Sequence, residues 1–237
     1  MLSLFTFERI QFRGMLLTAL PVGLGCALIL TAAERLIHPD QYFSLVDFFQ
    51  NVSVYSACTL LALLFSEQCK LEGFLVKREG SWIKKAALLL VYGGFVGIAM
   101  GLVYDRWHTA LRFSARLPFR LRRMTTFYDS FILSLSAAVT EELVFHLLLF
   151  TSFLWILSWL FTPILTMNGG LNRCIPLVFA VVFSSLLFGF VHGLYGFLFA
   201  FGAGVTLCLI FLRGGLESAI LAHCLANLVF FNLTYLR

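Results

Sequence analysis

Runs of about 20 consecutive apolar residues recur along this chain, and they restrict its fold more than any other feature. A helix needs roughly 20 residues to cross the hydrocarbon core of a bilayer. Lipid offers no hydrogen-bond partner to the backbone, so each run is predicted to be helical. Seven runs qualify: about 14–34, 48–66, 86–104, 129–162, 175–193, 196–212 and 216–235. The predicted fold class is all-α, a polytopic transmembrane helix bundle of about seven spans. The simplest division is one membrane domain over 1–237, with N-terminal spans and basic segments over 1–128 and the candidate-site helices over 129–237.

Composition agrees with lipid as the solvent. Of 237 residues, 60% are hydrophobic and only 12% charged, against roughly 25% charged in a soluble domain. The net charge of +5 is read as Lys and Arg beside lipid headgroups rather than a nucleic-acid surface. Cys26, Cys58, Cys69, Cys174, Cys208 and Cys224 form no C-x-x-C pair, and most lie in apolar runs. They read as small hydrophobes, not as disulfides or thiolate ligands. The first run follows Arg9 and Arg13 and is longer than the roughly 7–15 residues of a signal core, so it reads as an uncleaved span.

Two runs are irregular. The stretch 129–162 is too long for one perpendicular span, and Pro163 is expected to stop it. The run 196–212 follows closely on the previous one, with a tight turn expected at Gly193 and Gly196. The connections 67–85 and 105–128 are basic, and each suits a segment lying at the membrane interface. They flank a single run. With the N-terminus inside, nine Lys and Arg fall inside and eight outside, so the positive-inside rule selects no orientation. Either the third run does not fully cross or one basic segment is exported. No internal repeat or low-complexity tract is visible.

Among 12 acidic residues, only Glu141 and Glu142 sit well inside a run. A charged carboxylate at bilayer depth costs roughly 2.5–3.5 kcal/mol even on lenient insertion scales, and such residues face the bundle interior and carry function. Adjacent helical residues point about 100° apart, so the two glutamates have unequal roles. His146 lies four residues after Glu142, on its face. His192 ends the fifth run in Phe188-Gly-Phe-Val-His192, and His223 and Asn227 share a face of the last. At 1.5 Å per residue, Glu141 lies about 18 Å from Asp129 along its helix. His223 and Asn227 lie about 10 and 16 Å from Leu216 on the opposite face. These three reach similar depth. His192 is shallower, near the face where the glutamate helix begins, which predicts a site open toward that face.

The order Glu141-Glu142-Leu-Val-Phe-His146, then Phe188-Gly-Phe-Val-His192, then His223-Cys-Leu-Ala-Asn227 resembles the CAAX protease and bacteriocin-processing family of intramembrane proteases, relatives of the prenyl-protein endopeptidases. Gly202 and the Gly-Gly-Leu-Glu-Ser-Ala-Ile-Leu-Ala-His run before the third motif add to the likeness, which covers about 130–235. The departure is His146, where the family carries Arg. Histidine in that place is expected to hydrogen-bond Glu142, with a charge that depends on pH.

The resemblance implies hydrolysis of a peptide bond in a membrane-associated protein or peptide. Glu141 and His192 would activate water, His223 and Asn227 would stabilise the oxyanion, and Glu142 with His146 would support them. No cofactor is expected. Zinc is the alternative, and Glu141, His192 and His223 would then be its ligands. The expected partners are that substrate and the lipid bilayer, with no nucleic acid, and the expected location is multi-pass in a bacterial inner membrane. Two other functions suit buried Glu and His: a proton-coupled transporter or channel, and a non-catalytic scaffold or immunity protein on the same fold.

Overall fold

The computed structural model describes residues 9–37, 44–69, 71, 81–110, 126–165 and 174–235. Every regular element among them is helical: α1 (Arg9–Ile37), α2 (Leu45–Gln68), α3 (Trp82–Leu88), α4 (Val96–Ala110), α5 (Phe127–Glu141), α6 (Phe150–Leu165), α7 (Cys174–Val191) and α8 (Gly193–Tyr235). Two π-helical stretches make longer rods of their neighbours: Leu89–Phe95 joins α3 to α4, and Glu142–Leu149 joins α5 to α6. Among the described residues, six helices are long and apolar enough to cross a membrane.

The sixth and seventh runs are two helices that meet at a kink, taken together as α8, 43 residues in all. It bends at Gly215, whose φ of 76° and ψ of 177° are not helical. Glycine tolerates that left-handed φ because it has no Cβ. The two limbs of α8, on either side of Gly215, correspond to the two runs. The turn before α8 uses Gly193, with φ 73°. Gly196, expected to share it, lies inside α8 instead.

The third run is longer than its apolar core suggested. Trp82–Trp107 spans 26 residues, about 39 Å of helix, enough to cross. The expected interfacial segments fall mainly on 70, 72–80 and 111–125, outside the described residues. Pro163 does not stop α6, which continues to Leu165.

The exterior is apolar, and small polar side chains are buried alongside a core of Leu143, Leu147, Phe150, Leu207 and Phe211. Leu194, Ile83 and Phe95 are 91%, 83% and 74% exposed, while Thr59, Ser130, Ser134, Ser184 and Ser185 are fully buried. Lipid solvates the first group, and the second makes contacts between helices. α8 is central: it packs against α4, α5, α7 and both π-helical stretches. Its second limb seats closely on the third span. A Cβ on Gly97 would lie 2.6 Å from the Ala222 carbonyl oxygen, and one on Gly101 would lie 2.6 Å from that of Ala226. Only the missing side chain permits that approach.

Candidate active site

A capping box fixes where the glutamate helix begins. The Asp129 backbone N–H donates to Thr126 Oγ1 at 3.1 Å, and the Thr126 N–H donates to Asp129 Oδ2 at 2.9 Å. Glu141 is then the last residue of α5, and Glu142 opens the π-helical stretch. Such i→i+5 bulges inside α-helices are frequent at functional sites.

The two carboxylates are held very differently. Glu142 is wholly buried, with each oxygen against an imidazole. Oε1 lies 2.7 Å from His223 Nδ1, and Oε2 lies 2.7 Å from His146 Nδ1. The first contact is an aligned hydrogen bond. The second is a close ion-pair approach, off the line of a hydrogen bond. Glu141 is 29% exposed. Its Oε2 lies 3.6 Å from His192 Nε2 and 3.7 Å from His223 Nε2. Both separations exceed a direct hydrogen bond, and this oxygen is buried without a hydrogen-bond partner.

Each histidine is oriented through its other nitrogen. His192 Nδ1 lies 2.7 Å from the Phe188 carbonyl oxygen. A carbonyl only accepts, so Nδ1 carries a proton, and the ring turns Nε2 toward Glu141. His146 Nε2 lies 3.2 Å from the Gly204 carbonyl on the first limb of α8 and therefore donates to it. His223 donates Nδ1–H to Glu142, which leaves Nε2 facing Glu141.

The structure thus joins Glu141, Glu142, His146, His192 and His223 into one connected group drawn from three rods. Asn227 lies one turn beyond His223, partly buried, with no hydrogen bond to the group. The sequence reading brought Glu141, His223 and Asn227 to similar depth, but the direct hydrogen bond from His223 to Glu142 was not foreseen. Phe188 was also missed beyond its place in a motif. Its buried ring has centroids 4.6 Å from His192 and 5.8 Å from both His146 and His223. One apolar plate therefore limits the motion of three imidazoles. The signal was its i, i+4 spacing to His192, which puts its carbonyl under that ring. Gly204 was missed because it contributes only a backbone oxygen.

Glu141, His192 and His223 have the atom types zinc takes. Among the described residues, however, no three His, Cys, Asp or Glu are arranged to hold a metal ion. The group as it stands does not fit a metal.

An apolar cavity of about 410 Å³ lies between α4 and the first limb of α8, lined by Val96, Met100, Trp107, Leu198, Phe199 and Thr206 among others.

Residues 123–229 match the family model described as type II CAAX prenyl endopeptidase Rce1-like. The matched stretch contains all six candidate site residues, and over it the chain resembles that family. No curated protein and no solved structure gives a match.

Proposed function

We propose, with the match of residues 123–229 to the Rce1-like endopeptidase family as premise, that this chain is an intramembrane endopeptidase. It hydrolyses a peptide bond in a membrane-associated protein or peptide. The observation that carries this reading is the convergence of Glu141 Oε2 with Nε2 of His192 and of His223, at 3.6 and 3.7 Å. A water placed among these atoms donates one hydrogen to Glu141 and one to His192 at ordinary hydrogen-bond lengths of about 2.8 Å.

The water oxygen attacks the substrate carbonyl carbon while one of its protons passes to the Glu141–His192 pair. The carbonyl π electrons move onto oxygen, and His223 Nε2–H and Asn227 stabilise the resulting oxyanion. Collapse of the intermediate breaks the C–N bond, and the proton held by the pair goes to the departing amine. His223 donates from Nε2 only as an imidazolium, because its Nδ1–H is committed to Glu142. No step passes through a metal or cofactor.

The substrate's apolar anchor takes the cavity beside α4. Gly202, Ala203 and Thr206 line that cavity, and Gly204 in the same turn accepts from His146. Transport is less well supported, since these polar groups are tied to one another and to backbone carbonyls.

Cleavage of membrane-anchored peptides by purified wild type, Glu141→Ala and His192→Ala tests the proposal. Loss in both variants, with the fold intact by melting, supports it, and undiminished cleavage by Glu141→Ala overturns it. A chelator is expected to leave the wild-type rate unchanged.

A further inference from the structure

Resting on that reading, we infer that His146 is a positioning residue whose removable positive charge, passed through Glu142, sets how well His223 stabilises the oxyanion. The starting observation is that Glu142 is flanked at 2.7 Å on both sides by imidazole nitrogens, in a fully buried position. The His223 contact is a hydrogen bond, and at 2.7 Å a bare Nδ1 lone pair on His146 would repel the carboxylate oxygen, so His146 Nδ1 carries a proton although it lies off the hydrogen-bond line. His146 already holds a proton on Nε2 for the Gly204 carbonyl. The proton toward Glu142 is therefore its second, and the ring is an imidazolium paired with a carboxylate.

Charge counting then gives the consequence. With His146 protonated, Glu142 is neutralised without help from His223. An imidazolium at His223 is free to balance Glu141 and the developing oxyanion. With His146 neutral, the Nδ1 lone pair faces Glu142 Oε2, and His223 is the remaining cation for Glu142. The group then carries one more negative charge as another is forming, at a depth where uncompensated charge is costly.

The ionisable groups facing His146 are few. Its own helix supplies Glu142, and α8 supplies His223 and Cys208, whose Sγ lies 3.3 Å from Ser184 Oγ. From α7 come Ser184, Ser185 and the Phe188 ring, and α2 turns Thr59, Ala62, Leu63 and Ser66 inward. α6 carries no ionisable side chain. Protons reach His146 along His146–Glu142–His223, since Glu141 beyond His223 is partly exposed.

The test compares pH profiles of kcat for wild type, His146→Arg and His146→Gln on one cleavable membrane-anchored peptide. Wild type is expected to lose kcat on an alkaline limb. His146→Arg should keep the acid limb and push the alkaline limb upward, because Arg does not deprotonate. His146→Gln should lower kcat at least about tenfold across the range with KM unchanged. Superimposable profiles for wild type and His146→Arg, or full kcat in His146→Gln, overturn the inference. Should His146→Arg not fold, 15N NMR of histidine-labelled wild type in nanodiscs decides, with His146→Gln assigning the signal. An imidazolium at neutral pH supports the inference and a neutral ring overturns it. That measurement needs no substrate, so failure to find any cleavage would count against the protease reading and leave this result standing.

Discussion

The third and fourth rods of this protein, Trp82–Ala110 and Phe127–Leu165, are alike in build. Each is a long apolar helix interrupted by a π-helical stretch, and each packs against α8. The fourth meets α8 through charge: Glu141 and Glu142 reach His223, and His146 reaches the Gly204 carbonyl. The third meets α8 mainly through the absence of side chains. Gly93, Gly97 and Gly101 lie against Leu221, Ala222 and Ala226, next to the residues that carry the site. Its polar contact is at the far end, where Thr234 Oγ1 donates to Asp105 Oδ1 at 3.4 Å. One rod supplies the chemistry, and the other fixes the helix on which half of it stands. The family match begins at residue 123, so the three glycines lie outside it while the α8 residues they meet lie inside.

The largest effect should come from breaking the charged contact. Glu142→Leu removes the shared partner of His146 and His223 and leaves two buried imidazoles facing a methyl group. Removing one member of a buried ion pair costs about 3–5 kcal/mol. A thermal melt in detergent should show a large loss of stability, and cleavage should fall below detection. A melt close to wild type would mean that Glu142 is held by packing alone, and the contrast between the rods would fail.

Gly97→Ala tests the other rod and should rank second. The new Cβ would meet backbone, the Ala222 oxygen at 2.6 Å and the Ala222 Cα at 2.7 Å, so a helix must move. Overpacking of this kind costs about 1–3 kcal/mol. Displacing a catalytic group by about 1 Å can cost about 10²-fold in rate, so kcat should drop by more than the melt suggests. Wild-type kcat in Gly97→Ala would show that the seat does not position His223.

These contrasts were only partly legible in the sequence. Glu141 and Glu142 stand out because a carboxylate in an apolar run is costly. The helical class follows from run length, and the seven runs come close to the six helices long and apolar enough to cross among the described residues. The kink that separates the last two runs within α8 does not follow from it. Whether a glycine turns or continues a helix depends on φ, and Gly193 and Gly215 take positive values while Gly196 does not. The links from Glu142 to His223 and from His146 to Gly204 span 81 and 58 residues, and no periodicity encodes a contact of that range. The Gly97 and Gly101 seat was hidden for a related reason. An i, i+4 glycine pair says that something approaches closely, but not what.

The smallest expected effect is the sharpest control on that last point. Gly94 adjoins Gly93 in the same π-helical stretch, yet a Cβ there would have nothing within 4 Å, whereas on Gly93 it would lie 2.8 Å from Leu221 Cδ2. Both are glycines in one apolar helix, so any general helix-stiffening effect of alanine acts on both. Gly94→Ala gains up to about 1 kcal/mol of helix propensity and meets no neighbour. Its melt should equal or slightly exceed wild type, and cleavage should stay within about twofold, an effect of only about 0.4 kcal/mol. Gly93→Ala should lose modestly, since the end of a Leu side chain can shift. If Gly94→Ala impaired cleavage as much as Gly97→Ala, the third rod would act through its flexibility, and its fit against α8 would no longer explain the placement of His223.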